Sequence, residues 1–395
     1  MNTKKIKPAF FLLIILLSVI FFSCDKDDDI SNFENIGITL PITGESPLDI
    51  EAHQAVIRIA INDVNNYFKT NKVNLQVQAD IQDTENSPEG LVAALNHFSD
   101  KGIKYIASAG VSQNLSDAAS SINLFEGAMI HTTSTSSSLS IPDNLFRIIP
   151  DDTRTALEIA TKLESNNIAD LIILYRDDIW GKELSNALQL IYEDKGFNVY
   201  PVEYEARFLP QSLTQAIETA ESKYQEIKNT TSSEKIAMTV LSFNEINEIL
   251  TLADLNEHLT NIKWYGSDGY MMNNQLTDNN SLAQIASKVG LYCPAIAAPD
   301  NEEFEKVQSN VAAQLGYTPR TNNLLIYDAI LAAAISCSLN SGFPEEAIKK
   351  VLAEDHYIFG SMKINNYGDR EDCDYEYWYI GKENGNYSWK LEKIH

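Results

Sequence analysis

The feature that most constrains this chain is a regular alternation of short apolar segments with longer amphipathic ones. Residues 36–40 form a short apolar run, and in residues 50–68 the apolar side chains recur at helical spacing. The alternation then continues, with strands predicted at 73–79, 103–107, 128–131, 171–175, 236–241 and 262–265, and helices at 87–101, 112–123, 153–165, 181–195 and 244–255. Strands separated by helices of this length predict parallel sheets with helices on both faces.

The length of the chain predicts two domains, because about 360 residues after an N-terminal segment exceed what one hydrophobic core usually organises. The end of the chain breaks the alternation. Residues 357–364 and 375–391 are rich in aromatic side chains and are separated by turn residues such as Asn365 and Gly368. This pattern predicts a few antiparallel strands that close a sheet.

The first 23 residues have the pattern of a secretory signal. Three lysines within the first seven residues form a basic region, residues 8–22 form an almost uninterrupted apolar run, and Ser23 precedes Cys24. The run is shorter than the roughly 18 apolar residues expected of a spanning helix, so a retained membrane anchor is the weaker alternative.

The position of Cys24 resembles the lipobox of bacterial lipoproteins, in which the signal is cut before a cysteine whose thiol carries diacylglycerol. Phe21 stands where that family prefers leucine. The resemblance implies attachment to a membrane through lipid on Cys24, since each buried methylene contributes ~0.8 kcal/mol. Ordinary cleavage with a free thiol is the alternative. Residues 24–35 are predicted to be an acidic, solvated tether.

The charge of the chain opposes binding to nucleic acid. The formal net charge is -25, and removal of residues 1–23 takes away three lysines and no acid, which makes it -28. Such a surface repels phosphate backbones, and no cluster of lysines and arginines with interleaved aromatics offsets it. We therefore expect no nucleic-acid partner.

The sequence contains no motif that predicts catalysis, a cofactor or a metal site. HExxH, P-loop, GxGxxG and GxSxG motifs are absent, and no metal-ligand spacing connects the histidines His53, His97, His131, His258, His356 and His395. His131 has a position compatible with catalysis, although hydrogen bonding in a cleft is the simpler role. Cys293, Cys337 and Cys373 are widely spaced and allow at most one disulfide. We expect a binding protein that is not an enzyme.

Short motifs follow one another in a fixed order along the chain. They are Pro41–Gly44, Asp63–Asn65, Asp83, Ala109–Ser112, Thr132–Thr135, Phe146 and Arg147 with Pro150 and Asp151, Asp177–Gly181, Gly266–Gly269 and Tyr327–Ala329. In this order they resemble the type I periplasmic binding proteins, especially the leucine/isoleucine/valine-binding branch and the ligand-binding domains of amino-acid receptors. Each motif is weak alone, so we rely on the ordered set, which covers about residues 36–395.

The resemblance implies an α/β fold of two lobes, each a doubly wound parallel sheet, joined by a three-segment hinge. Crossings near Pro150, Asn273 and His356 would divide the chain into a first lobe, residues 36–149 and 275–355, and a second lobe, residues 150–274 and 356–395. Ligand contacts from both lobes would then stabilise a closed state.

Two serine/threonine loops are predicted to hold a ligand carboxylate. In a doubly wound sheet the ligand lies beyond the carboxyl ends of the strands, where Ser112 begins a helix with free backbone N–H groups. The use of these loops in the family extends the prediction to Thr133 and Thr135. Helix capping by Ser112 and a merely solvated hydroxyl loop are the alternative.

The second lobe is predicted to supply an acid and two aromatic side chains. Asp268 follows the strand that ends at Tyr265, and its counterpart in amino-acid binders grips the ligand ammonium. An ordinary turn aspartate in Ser-Asp-Gly is the alternative. Trp180 and Phe243 fall where the family presents aromatics to the ligand, and a place in the core is the alternative.

The function implied by the resemblance is that of an extracytoplasmic solute-binding lipoprotein, periplasmic or on the cell surface. It would close on a small ligand, an amino acid or a related small carboxylate, and deliver it to an ABC-type permease. A ligand-binding sensor ectodomain without transport is the alternative. Leu48 and Asp49 stand where the family often places a cleft aromatic, which leaves the identity of the ligand open.

Overall fold

The computed structural model describes residues 32–44, 46–207, 209–255, 258–339, 341–354, 357–371 and 373–392. The predicted signal segment, Cys24, the first part of the predicted tether and His356 lie outside these residues. Within the described ranges no helix is both long enough and apolar enough to cross a membrane.

The described strands are, in chain order, β1 Phe33–Leu40, β2 Gln76–Asp83, β3 Tyr105–Ser108, β4 Ala128–His131, β5 Leu145–Arg147, β6 Asp170–Arg176, β7 Asn198–Tyr204, β8 Ile236–Leu241, β9 Lys263–Tyr265, β10 Cys293–Ile296, β11 Tyr375–Glu383 and β12 Asn386–Glu392. The α-helices are α1 Pro47–Thr70, α2 Pro88–Asp100, α3 Ser112–Asp117, α4 Ala119–Leu124, α5 Asp152–Ser165, α6 Ile179–Asp194, α7 Gln211–Ile227, α8 Ile246–Asp254, α9 Asn274–Asp278, α10 Asn280–Val289, α11 Glu302–Leu315, α12 Leu325–Ser338 and α13 Pro344–Leu352.

Local sequence explains where several helices begin. The hydroxyl of Ser87 accepts a hydrogen bond from the backbone N–H of Gly90 at 3.1 Å and caps α2. Asp151, Asp178 and Asn301 cap α5, α6 and α11 in the same way. These side chains satisfy N–H groups that have no partner within the helix.

Strands β1 to β5 form a parallel sheet in the order β2-β1-β3-β4-β5, which together with its helices we call the first lobe. β1 begins before the predicted start at residue 36, because Phe33 already pairs with Gln76 of β2. Consecutive residues face opposite sides of the sheet: Ile130 packs in one hydrophobic core and Met129 in another. Helices therefore cover both faces, as predicted.

Strands β6 to β9 form a second parallel sheet in the order β7-β6-β8-β9, the centre of the second lobe. Ile172 and Ile173 of β6 pack in different cores on its two faces. At one edge Tyr265 bridges Tyr292, and the chain continues from there into the antiparallel strands β10, β11 and β12. The antiparallel strands predicted within residues 375–391 are confirmed.

The strand predicted over residues 357–364 is wrong. In this segment Ile364 forms only an isolated bridge, with Arg370. The Asp328 carboxylate of α12 accepts hydrogen bonds from the backbone N–H groups of Ile358 at 2.9 Å and Phe359 at 3.0 Å. The buried Asp328 side chain thus accepts hydrogen bonds from backbone N–H groups that were expected to pair with a neighbouring strand.

The hydrophobic cores divide the chain differently from the predicted boundaries at residues 275 and 356. Apolar residues of α9, α10 and β10 pack with Trp264 in the second lobe, whereas Ile296 packs in the first. Ile358 and Phe359 also belong to the first lobe, and Ile380 to the second. The apolar face of a helix does not encode which sheet it will cover. We propose crossings between residues 295 and 296 and between 373 and 375.

The crossings between the lobes lie side by side. The backbone N–H of Ala297 donates to the carbonyl of Asp374 at 2.8 Å, which holds the second and third crossings together. The Tyr375 hydroxyl lies 3.2 Å from Thr155 Oγ1, in the helix that follows the first crossing. The connections therefore form one compact hinge region.

A buried ion pair holds the end of β5. Arg147 donates through Nε to Asp369 Oδ1 at 2.6 Å and through Nη2 to Asp369 Oδ2 at 2.8 Å. Arg147 is fully buried, and its Nη1 donates to the carbonyl of Ser136 at 2.7 Å. The pair therefore fixes the loop of hydroxyl residues that follows β4.

Arg147→Met is expected to lower the free energy of unfolding by about 3–5 kcal/mol, because the Asp369 carboxylate would stay buried without a cation. Urea denaturation followed by circular dichroism measures the change. Lys195→Met, which removes a partly exposed pair with Glu164, is the control and should change stability little. Equally small changes in both variants would contradict the role of the ion pair.

Candidate functional site

The candidate site is the seam at which the carboxyl ends of the two parallel sheets face each other. From the first lobe come the loops after β1, β3 and β4 and the turn before α12. From the second lobe come the loops after β6, β8 and β9. The lobes touch directly: Gln113 Oε1 accepts from the backbone N–H of Ile179 at 3.1 Å, and Asn322 Nδ2 lies 3.5 Å from Asp268 Oδ2. A small molecule between them would contact both lobes.

A histidine network supports the first-lobe loops. The His131 ring lies 2.9 Å from Ser108 Oγ through Nδ1 and 2.8 Å from Ser134 Oγ through Nε2. Thr39 Oγ1 donates to the same Ser108 hydroxyl at 2.7 Å. Burial lowers the pKa of His131 to about 3, so the ring is neutral at physiological pH. His131 thus joins β3 to the loop after β4.

The predicted carboxylate ligands lie in neighbouring loops, but some of their hydroxyls already have partners. Thr133 Oγ1 donates to the carbonyl of Gly110 at 2.7 Å and accepts from its N–H at 2.9 Å. Ser112 Oγ accepts from the N–H of Ser136 at 3.3 Å, and Val111, not Ser112, is the capping position of α3. Contact of Ser112, Thr133 and Thr135 with a ligand stays a prediction.

Asp152 is the most unusual polar residue of the seam. It is 2% exposed, and its Oδ2 has no hydrogen-bond partner among the described residues. Burial raises the pKa of Asp152 well above its usual range, a hydrogen bond from Thr135 opposes this, and the charge of Asp268 raises it further. Asp152 is not among the site residues predicted from the sequence. The available signal was the pair of acids after Pro150, of which only the first, Asp151, caps the helix.

Asp268 lies on the second-lobe side of the seam in a short 3-10 turn. Burial raises its pKa to about 6, against the opposing effects of its own backbone N–H and of Arg320. The hydroxyls of Ser242 and Ser267, which follow β8 and β9, are buried and have no hydrogen-bond partner among the described residues. Buried polar groups of this kind are normally satisfied by water or by a ligand.

The predicted aromatics lie against each other. The rings of Trp180 and Phe243 stack with centroids 4.7 Å apart, and the Arg176 guanidinium lies 4.1 Å from the Phe243 ring. Trp180 is 5% exposed and belongs to a core of the second lobe. Phe243 is more exposed than Trp180 and packs against the same core. Ligand contact by either ring stays a prediction.

A further inter-lobe contact, here called the latch, joins Glu183 of α6 to Ser136, Ser137 and Ser138. Glu183 Oε2 accepts from Ser136 Oγ, from Ser137 Oγ at 3.2 Å and from the N–H of Ser138 at 3.0 Å. Burial raises the pKa of Glu183, but these hydrogen bonds outweigh it, and the net effect is a lowered pKa. Local sequence does not reveal this role of Glu183, because its partners lie in the other lobe.

Other features lie apart from the seam. A cavity of about 290 Å³ is lined by Asp143, Phe146, Lys349 and Tyr367, among others, and contains none of the predicted site residues. The described residues hold no group of three or more side chains suited to a metal ion. Cys293, Cys337 and Cys373 are all free thiols.

The chain is similar to known proteins over most of its length. The model of the family described as receptor family ligand binding region matches residues 52–382. The uncharacterized protein MJ1266 of Methanocaldococcus jannaschii is 20% identical over 416 residues, which cover 97% of this chain and 96% of that protein.

Two solved structures illustrate the likeness of fold. The leucine binding protein LivK of Thermotoga maritima superposes with a TM-score of 0.72 at 17% identity, covering 91% of this chain and 97% of that chain. An ABC transporter substrate-binding protein from Desulfitobacterium hafniense in complex with Leu gives a TM-score of 0.69 at 17% identity, covering 91% and 100%. The predicted α/β fold with two doubly wound sheets is confirmed.

Glu183→Ala is expected to shift the ligand-free protein toward a more open arrangement. Each hydrogen bond to a charged group contributes about 1.5–3 kcal/mol, enough to raise the open population roughly tenfold. Small-angle X-ray scattering should then show a larger radius of gyration. Glu203→Gln, which removes a partly exposed acid within the second lobe, should leave the scattering unchanged. Identical curves for wild type and Glu183→Ala would show that the latch does not hold the lobes together.

Proposed function

Because the chain belongs to the receptor family of ligand-binding regions, we propose that it is an extracytoplasmic solute-binding protein that closes on an amino acid. One observation carries the choice of ligand. The carboxylate of Asp152 is buried with an oxygen that has no partner among the described residues, and it interacts with the charge of Asp268. Two such acids favour a ligand that carries a cation.

The ammonium group of an amino acid fits this environment. A buried carboxylate without a partner cation is unfavourable, and a positive group between Asp152 and Asp268 would favour the ionised form of both. Thr135 lies beside Asp152, so an ammonium group paired with Asp152 would bring the adjacent ligand carboxylate close to the hydroxyl loop. The ligand carboxylate would meet Ser112 and the hydroxyl loop, and Trp180 and Phe243 would border the remaining volume.

Similar proteins support this assignment. The leucine binding protein and the ABC transporter substrate-binding protein in complex with Leu described above share the two-lobed fold. We propose that this chain likewise binds rather than catalyses, and that its closed form delivers the ligand to an ABC-type permease. The N-terminal pattern supports export and attachment to a membrane through lipid on Cys24.

Asp268→Asn is expected to abolish binding of L-leucine and L-glutamine alike, because both present the same ammonium group. In the wild type, affinity should fall as the pH drops from 7 to 5, since Asp268, with a pKa of about 6, must lose its proton to pair with the ammonium. The fall is at most about tenfold per pH unit for each carboxyl group that must ionise. Isothermal titration calorimetry at several pH values measures both effects.

The matched control for this experiment is Asp143→Asn. Burial also raises the pKa of Asp143 to about 6, but this residue lines the cavity of the first lobe away from the seam. The control should leave affinity and its pH dependence unchanged. Wild-type affinity in Asp268→Asn would remove this residue from the site.

Cys24→Ser is expected to release the protein from the membrane. When the full chain is expressed in a bacterium that processes lipoproteins, the wild type should partition into the detergent phase and the variant into the aqueous phase, because the acyl chains supply the membrane affinity. Cys373→Ser is the control and should partition like the wild type. An aqueous wild type would contradict lipid attachment.

A further inference from the structure

A cluster of polar side chains on the first lobe lies across the seam from Asp268. Arg320 donates through Nη2 to Asp49 Oδ2 at 2.6 Å, and Asn323 Nδ2 donates to Asp49 Oδ1 at 2.9 Å. Asp49 is in the first turn of α1, and Arg320 precedes the turn that leads into α12, 271 residues away in sequence. Asp49 therefore holds the Arg320 guanidinium in a fixed position.

Contacts with Asp268 place this cluster at the ligand site. The Asn322 side chain lies 3.5 Å from the Asp268 carboxylate, and the charge of Arg320 lowers the pKa of Asp268 against the effect of burial. A ligand whose ammonium group pairs with Asp268 would thus place its nearby atoms against Arg320 and Asn322.

The cluster retains hydrogen-bonding groups without partners. Among the described residues, Arg320 makes one hydrogen bond, although a guanidinium has five donors. Asn322 Oδ1 is buried and has no partner in the part of the chain that the structure describes. His53 is 5% exposed, and neither of its ring nitrogens has a partner among the described residues. Burial lowers the pKa of His53 to about 4, while the nearby charges of Asp49 and Arg320 raise and lower it, so His53 lies beside this pair and its neutral ring offers one donor and one acceptor. The cluster therefore offers both hydrogen-bond donors and hydrogen-bond acceptors to a ligand.

Resting on the proposed function, we propose that Arg320, Asn322 and His53 select an amino acid whose side chain ends in a carboxamide, as in glutamine or asparagine. The amide oxygen accepts from Arg320, and the amide nitrogen donates to Asn322 Oδ1 or to His53. A carboxamide supplies one acceptor and two donors, which matches this mixed set.

Charge distinguishes a ligand with an amide side chain from one with an acidic side chain. Asp49 already neutralises Arg320, and Asp152 and Asp268 add negative charge on the same seam. A glutamate side chain would bring a further anion with no free cation to receive it, whereas glutamine brings none. An aliphatic side chain would leave the buried acceptor of Asn322 and the ring nitrogens of His53 unsatisfied, which costs binding energy.

The test compares L-glutamine, L-glutamate and L-leucine by isothermal titration calorimetry with the full chain. The wild type should bind glutamine at least tenfold more tightly than leucine or glutamate. Arg320→Met should weaken glutamine binding tenfold or more and leave leucine binding within about threefold, because leucine makes no hydrogen bond there. Tighter binding of leucine than of glutamine to the wild type would overturn the proposal.

Two further variants keep the test decisive. Arg320→Lys retains the charge beside Asp49 but lacks the planar pair of donors, so it should fold and still lose most of the preference for glutamine. Arg58→Met removes an exposed arginine of α1 and should change nothing. If both Arg320 variants lost affinity for all three ligands equally, Arg320 would be assigned to the carboxylate that the three amino acids share. Selection of the amide would then be overturned. If the wild type bound none of the three amino acids, the proposed function itself would be overturned.

Discussion

The buried pair of Arg147 and Asp369 is the interaction on which the seam depends. It joins β5 to a segment 222 residues later in the chain, and the same guanidinium holds the carbonyl of Ser136 at 2.7 Å. The loop held in this way carries Thr135, which contacts Asp152, and the serines of the latch. A buried guanidinium must satisfy its donors, so its partners are fixed together rather than one at a time. The ligand loop, the latch and the hinge are therefore mechanically connected.

The fold could be predicted because residues of the recognised motifs make contacts that hold helices, strands and loops together. Thr43 donates to Asp83 at 2.7 Å, and the Tyr327 hydroxyl donates to Asp63 at 3.1 Å, so these motif residues hold elements together. Periodicity located most strands, because a buried strand needs only a short apolar run. It failed over residues 357–364, since an amide that bonds to the Asp328 carboxylate leaves no trace in local sequence. Periodicity does not encode the lobe boundaries either, because an amphipathic helix can cover either sheet equally well.

The candidate site was less predictable than the fold, for a related reason. Asp268 could be found because it directly follows a strand whose carboxyl end must face the cleft. Asp152 and Arg320 were harder to find, since their roles come from partners in other segments: Thr135 and Asp268 for one, Asp49 for the other. Thr133 shows that a position in a loop does not determine the partner of its side chain. Its position in the loop is as predicted, but its hydroxyl is hydrogen-bonded to the backbone of Gly110.

The charges of the seam connect binding to closure. Burying Asp152 and Asp268 in a water-poor space is unfavourable for both carboxylates, as their raised pKa values indicate. A ligand cation removes that cost only when both lobes surround it, so it stabilises the closed state more than the open one. The latch forms the same hydrogen bonds with or without ligand. It therefore determines the population of the closed state in the absence of ligand. A ligand then needs to supply only the rest of the free energy that separates the open and closed states. It shifts their populations through the difference between its affinities for the two states.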